Sequence, residues 1–197
     1  MNQQKRNRIL IMVIFAMSII PFMIAWGLKE NPQLLPQTGV NNGKLIAPPI
    51  LTAQSDYTGF DPFSANNLGE LSGHWLIANL LPNANCNDIC LQALYKSKQL
   101  QLMLNKELTR TRRIAIILKP VNPEQVSSWW QDDPRLIRIR PSSAFSEKLQ
   151  TIHNDASDGT LLLIDPLGNV MMQYKAGFDP YKVKNDLMHL LKISQIG

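Results

Sequence analysis

From Ile9 to Leu28 the chain runs for 20 residues without a charge. At about 1.5 Å rise per residue a helix of that length covers about 30 Å, the hydrocarbon thickness of a bilayer. No amphipathic packing scheme suits this run, because its apolar residues leave no polar face. Lys5, Arg6 and Arg8 precede it and the first acidic residue is Glu30. The positive-inside rule then keeps residues 1–8 in the cytoplasm and sends the rest of the chain across. Trp26 falls where an interfacial aromatic belongs, and Pro21 is a candidate kink. The expectation is a single membrane anchor over 9–28. A cleaved signal peptide, with Ile9 to Ile20 as its apolar region, is the alternative. An Arg- and Ser-rich transit peptide is absent, which points to a bacterial inner membrane with the C-terminal domain on the periplasmic side.

Setting aside Lys5, Arg6 and Arg8 leaves 17 of the 20 Lys and Arg against 15 Asp and Glu. The part beyond the anchor is therefore near neutral, and its charge gives no reason to expect nucleic acid as a partner. Asn31 to Pro49 holds four prolines and two glycines with almost no charge. It reads as an extended tether, so 29–49 is expected to be a linker and 50–197 a single domain.

Within that domain apolar runs alternate with helical spacing. Trp75 to Leu81 reads as a buried strand and Ile114 to Leu118 as a central one. Leu136 to Ile139 reads as a weaker strand. Helices are expected over Ile89–Leu108, Pro123–Gln131, Ser143–Ile152 and from Asp179-Pro180 to Lys192. Thr160 to Ile164 and Val170 to Tyr174 flank a Pro-Gly turn and read as a hairpin. This order, β-α-β-α-β-α-β-β-α, implies an α/β fold with a mixed sheet covered on both faces.

The only two cysteines, Cys86 and Cys90, lie where the first core strand hands over to the first long helix. Residues i and i+4 share one helix face, so the two sulfurs converge. They are then close enough to oxidise together or to hold one metal ion. A helix N-terminus favours thiolate, which both redox exchange and metal binding require. A purely structural disulfide closing so short a loop contributes only about 2 kcal/mol.

Gly73-His-Trp-Leu-Ile-Ala-Asn-Leu-Leu-Pro82 followed by Cys86-Asn-Asp-Ile-Cys90 resembles the Sco/SenC group of thioredoxin-like proteins. The pattern of that group is a G-K-W start, an apolar strand and C-P-D-I-C. Leu163-Ile-Asp-Pro-Leu-Gly168 is similar to its late strand and D-P-D-G turn. The resemblance spans roughly residues 45 to 197 and extends to membrane-anchored Sco-like proteins associated with cytochrome c oxidase genes. It implies a thioredoxin-like fold. It also implies Cu(I) delivery, or reduction of subunit thiols, during assembly of the binuclear copper centre of cytochrome c oxidase. The partners implied are an oxidase subunit or a copper-delivery protein, and copper is the one cofactor. Cys86 and Cys90 are the implied redox or metal residues.

The third copper ligand of the family is a histidine in an Asp-His-Ser context. Here the matching stretch is Ser157-Asp158-Gly159-Thr160, and aspartate is a hard ligand ill suited to Cu(I). His153, a few residues earlier, is the remaining candidate. His74 begins a strand whose far end carries the cysteines, about 20 Å away at about 3.3 Å per residue. His189 sits among leucines of the last helix. Met171 and Met172 should face opposite sides of their strand, with one of them in the core. The clusters of Arg110, Arg112 and Arg113 and of Arg135, Arg138 and Arg140 read as a solvated sheet rim. Of Trp129 and Trp130, one is expected to pack and the other to be exposed. Two further readings stand beside the leading one: a non-catalytic docking protein of the oxidase assembly machinery, and a general disulfide reductase. No phosphate-cradling glycine loop, Ser-His-Asp set or paired acids appear.

Overall fold

Continuous apolar runs need cover on both faces, and the centre of the molecule is built from them. The computed structural model describes residues 3–31, 41–153 and 158–194, apart from the side chains of residues 125 and 153. They fall into two separate units divided after Val40. The first unit is a helix, α1 (Gln3–Glu30), that contains Pro21 and buries none of its side chains. It is long and apolar enough to cross a membrane.

The second unit contains a seven-stranded mixed sheet. Its strands are β1 (Lys44–Leu51), β2 (Tyr57–Gly59), β3 (Trp75–Leu81), β4 (Thr111–Ile117), β5 (Ile137–Pro141), β6 (Leu161–Ile164) and β7 (Asn169–Tyr174), in the spatial order β1-β7-β6-β3-β4-β5-β2. Strands β3, β4 and β5 are parallel, and β6, β7, β1 and β2 are antiparallel to their neighbours. The helices of this unit are α2 (Pro62–Asn67), α3 (Asp88–Leu102), α4 (Pro123–Val126), α5 (Ser143–His153) and α6 (Pro180–Ile193). The expected alternation is present, and a mixed sheet carries helices on both faces.

All seven side chains of β3 are buried, and the pleat sorts them. Leu76, Ala78 and Leu80 pack with Ile114, Ile116, Phe145 and Leu149 on the α5 side. Trp75 and Ile77 face Ala93 and Leu100 of α3 and Val183, Leu187 and Leu191 of α6. Leu81, at the end of the strand, joins Cys90, Leu94, Val126 and Trp130. The helix starts follow local chemistry. Asn87, Asp61 and Asp179 each accept a backbone N–H from the first turn of α3, α2 and α6. Ser142 Oγ accepts from Phe145 N at 3.1 Å at the start of α5.

Several expectations change. Residues 44–49 of the expected linker are strand: β1 pairs with β7, and its register slips between Leu45 and Ile50, where Pro48 and Pro49 have no N–H to give. The short strand β2 and helix α2 were not anticipated. The helix expected over Ile89–Leu108 ends at Leu102, and Asn105–Arg110 forms a 3-10 turn before β4. The helix expected over Pro123–Gln131 is one turn of α-helix followed by a 3-10 turn at Ser127–Trp130.

Arg113 and Arg138 are not on a solvated rim. Each points inward from a strand and is buried, paired with Asp133 and Asp61 respectively. Met171 and Met172 are not on opposite faces either. A register shift in the β6–β7 pair breaks the alternation, and both methionines pack on the α3/α6 side. Trp130 is buried, while Trp129 is half-buried and meets it edge to face at 5.7 Å.

Candidate functional site

Strand β3, central in the sheet, delivers the chain to the C-terminal end of the parallel strands, where Leu81 O accepts from Leu118 N at 3.0 Å. Pro82 to Asn87 then turns the chain into α3. Asn87 is the N-cap: its side-chain oxygen accepts from Cys90 N at 3.0 Å. That places Cys86 just before the helix and Cys90 in its first turn. The two form a disulfide with their Cα atoms 5.2 Å apart. Convergence across the i, i+4 spacing is therefore met, in the oxidised form. The thiolate-favouring influence of the helix N-terminus acts only on the reduced pair.

The two sulfurs are not equivalent. Cys90 is 3% exposed and belongs to the apolar cluster of Leu81, Leu94, Val126 and Trp130. Cys86 is half-buried and leans on the same cluster beside Val121 and Trp129. Of the two sulfurs only that of Cys86 is open to an incoming thiolate, and attack there would make Cys90 the leaving sulfur. Ile89, 50% exposed, sits between them in sequence.

The loop leading into β6 closes over this turn. Asp158 Oδ1 accepts from Asn83 Nδ2 at 2.8 Å, and Asp158 Oδ2 accepts from Asn87 Nδ2 at 2.8 Å. One carboxylate thus grips the cysteine loop on both sides of Cys86. Gly159 follows with φ +86°, and a Cβ there would lie 3.0 Å from Ile89 O. This φ favours glycine, and the close approach seats the turn on the first residues of α3. Leu80 N donates to Thr160 O at 3.0 Å, which ties the same loop to β3.

Further along α3 lies a buried polar network. Ser97 Oγ donates to Asn79 Oδ1, and Arg113 Nη2 donates to Ser97 Oγ at 2.9 Å and to Leu94 O at 3.0 Å. Burial pulls the Arg113 guanidinium below its ordinary value, and the charge of Asp133 works against that pull. The network ties β3, α3 and β4 together one to two turns along α3 from Cys90.

Of the sequence-predicted residues, Cys86 and Cys90 come together. His153 closes α5, and its side chain lies outside the described residues. His74 stands at the opposite end of β3, with Nδ1 3.0 Å from Ser72 O, and His189 is exposed on α6. Among the described residues no group of three His, Cys, Asp or Glu gathers as a metal site. The donors that fit copper are the two sulfurs once reduced, because thiolate is soft and suits Cu(I). Asp158 fits it poorly, and both its oxygens are engaged.

Sequence reasoning missed the Asp158, Asn83 and Asn87 clamp. Asn87, three residues before Cys90, was legible as a cap. Nothing local signalled that Asp158, more than 70 residues away, closes on it.

A family model described as a transmembrane-like, thioredoxin-like C-terminal domain matches residues 75–194. The chain belongs to this family. The matched span of this thioredoxin-like domain runs from β3 through α6 and includes both cysteines and Asp158. No curated protein matches by sequence. Among solved structures, the domain is similar to apo Sco1 from Thermus thermophilus, with a TM-score of 0.56, 15% identity, and 79% of this chain and 99% of that chain covered. It is similar to yeast Sco1, with a TM-score of 0.51, 16% identity, and 64% and 84% covered. It is also similar to Arabidopsis thaliana ScoI with copper bound, with a TM-score of 0.50, 17% identity, and 64% and 89% covered. What these proteins share with this chain is the thioredoxin-like fold.

Proposed function

We propose that this chain is a membrane-anchored, Sco-like factor in cytochrome c oxidase assembly. In this reading residues 9–28 hold it in a bacterial inner membrane with the thioredoxin-like domain on the periplasmic side. The reduced Cys86–Cys90 pair either carries Cu(I) as cargo or reduces the thiols of an oxidase subunit. The observation that carries the reading is one half-exposed and one buried sulfur, paired at the first turn of α3. The Sco likeness of the fold supports it. Two thiolates suffice for Cu(I), which accepts low coordination numbers with soft donors. His153 is the candidate third ligand.

The test is titration of the reduced full-length chain with Cu(I) against a competing chelator, repeated on Cys86→Ser. Sub-micromolar binding that the variant loses supports copper handling. No binding, together with a measurable dithiol/disulfide equilibrium, moves the role to thiol reduction. The engagement of Asp158 where the family has its histidine favours one further reading, a docking protein with a vestigial pair. That reading wins if Cys86→Ser, Cys90→Ser restores oxidase assembly in a deletion strain.

A further inference from the structure

We propose that Asp158 is a positioning residue that sets how readily the Cys86–Cys90 disulfide is reduced. The inference rests on the reading that this pair works through its reduced form. Three observations carry it. Both carboxylate oxygens are committed, one to Asn83 before Cys86 and one to Asn87 after it, each at 2.8 Å. Asn87 in turn accepts the N–H of Cys90 at 3.0 Å, so the carboxylate is one side chain removed from the backbone of the leaving cysteine. The Gly159 turn, set against Ile89 O, leaves Asp158 little freedom to swing away.

The clamp is made with the disulfide closed. Opening the disulfide lets the 83–90 loop relax, which weakens the paired hydrogen bonds, and hydrogen bonds to a charged group are the stronger ones. The clamp therefore favours the disulfide.

The exchange step balances with a small thiol as reductant. Its thiolate attacks Cys86 Sγ, the Cys86–Cys90 bond breaks, and the electron pair leaves on Cys90 Sγ, which takes up a proton. A second small thiolate attacks its own kind in the mixed disulfide and releases Cys86 Sγ, which is also protonated. Two small thiols become one disulfide, and their two electrons and two protons end on the protein's sulfurs.

The experiment equilibrates the full-length chain, in detergent micelles, with glutathione buffers of graded composition. The dithiol fraction is read by alkylation and mass. Asp158→Asn removes the charge at constant size and leaves one arm without an acceptor. It should shift the equilibrium about tenfold toward dithiol, or about 30 mV for two electrons. Asn83→Ala keeps the charge and removes one arm. It should shift the equilibrium about threefold, about 14 mV on the same scale. A purely structural part for Asp158 lowers the melting temperature of the oxidised and reduced chains alike and leaves the equilibrium where it is. Asp158→Asn with the wild-type equilibrium overturns the proposal. Should that variant not fold, an unshifted equilibrium in Asn83→Ala overturns it equally. The glutathione equilibrium needs neither copper nor an oxidase, so a failed Cu(I) titration alongside a shifted equilibrium counts against the proposed function and not against Asp158.

Discussion

At the scale of single residues, inward-facing arginines set apart what is exposed from what is held. Arg113 is 3% exposed, and its partner Asp133 is the charge that offsets its burial. Removing one member of such a pair leaves an uncompensated ion in low dielectric. Asp133→Ala should cost about 3 kcal/mol, seen as a lower urea midpoint in tryptophan fluorescence. Arg112, bonded to Glu70 at the surface, is the contrast: Arg112→Ala should stay within about 1 kcal/mol of wild type. Arg138 follows the buried pattern, with Asp61 as its partner and its guanidinium over the Trp130 and Phe63 rings. A sequence shows Arg113 and Arg138 as members of basic clusters. The pleat sends neighbouring Arg112 and Arg113 to opposite faces, whereas Arg138 and Arg140 share a face of β5 and differ in cover, Arg138 being packed under Phe63 and Trp130 and Arg140 exposed near the end of the strand.

At the scale of elements, the edge strand β1 shows where proline misleads. Two prolines and the preceding composition read as tether, yet Lys44, Leu45, Ile50 and Leu51 all pair with β7. An edge strand tolerates proline because it needs only one row of hydrogen bonds. The β6–β7 turn then anchors the end of β1: Thr52 N donates to Gly168 O at 2.9 Å. Gly168 has φ +89°, and a Cβ there would lie 2.4 Å from Thr52 O, which is backbone and cannot yield. Gly168→Ala should cost about 2 kcal/mol and speed amide exchange across residues 44–52. Gly69, whose Cβ would meet nothing within 4 Å, is the control. Gly69→Ala should leave the melting temperature and that exchange unchanged.

At the scale of the whole molecule, one buried carboxylate ties the start of the second unit to the sheet and the last helix. Asp186 of α6 accepts from Asn42 N at 2.8 Å, Gly43 N at 3.0 Å, Asn42 Nδ2 at 2.8 Å and Tyr174 Oη at 2.8 Å. Burial first, then the hydrogen bond and charge of Asp186, pushes the Tyr174 phenol far above its ordinary value of 10.0. The folded chain therefore keeps this proton where the unfolded chain gives it up. The contribution of Tyr174 is complete below pH 10 and is lost as pH rises further, toward the raised folded value. Thermal midpoints measured upward from about pH 8 should fall above about pH 10, and Tyr174→Phe should fall less steeply. Tyr57, raised by burial as well, keeps a residual slope in the variant.

The sequence by itself determined the features that depend on neighbours along the chain. An uncharged run of bilayer length, the strand and helix periods from Trp75 to Lys192, the Asp165–Asn169 turn and the cysteines at a strand-to-helix junction are all local patterns. So was the i, i+4 spacing that brings Cys86 and Cys90 together. Tertiary structure alone decided which sulfur faces solvent, that Arg113 and Arg138 are buried, and that β1 closes the sheet edge. It alone brought Asp158 onto Asn83 and Asn87. Those outcomes depend on register and packing between segments as far apart in the chain as Lys44 and Gln173. No periodicity encodes such contacts, because their free energy exists only once the sheet has chosen its partners.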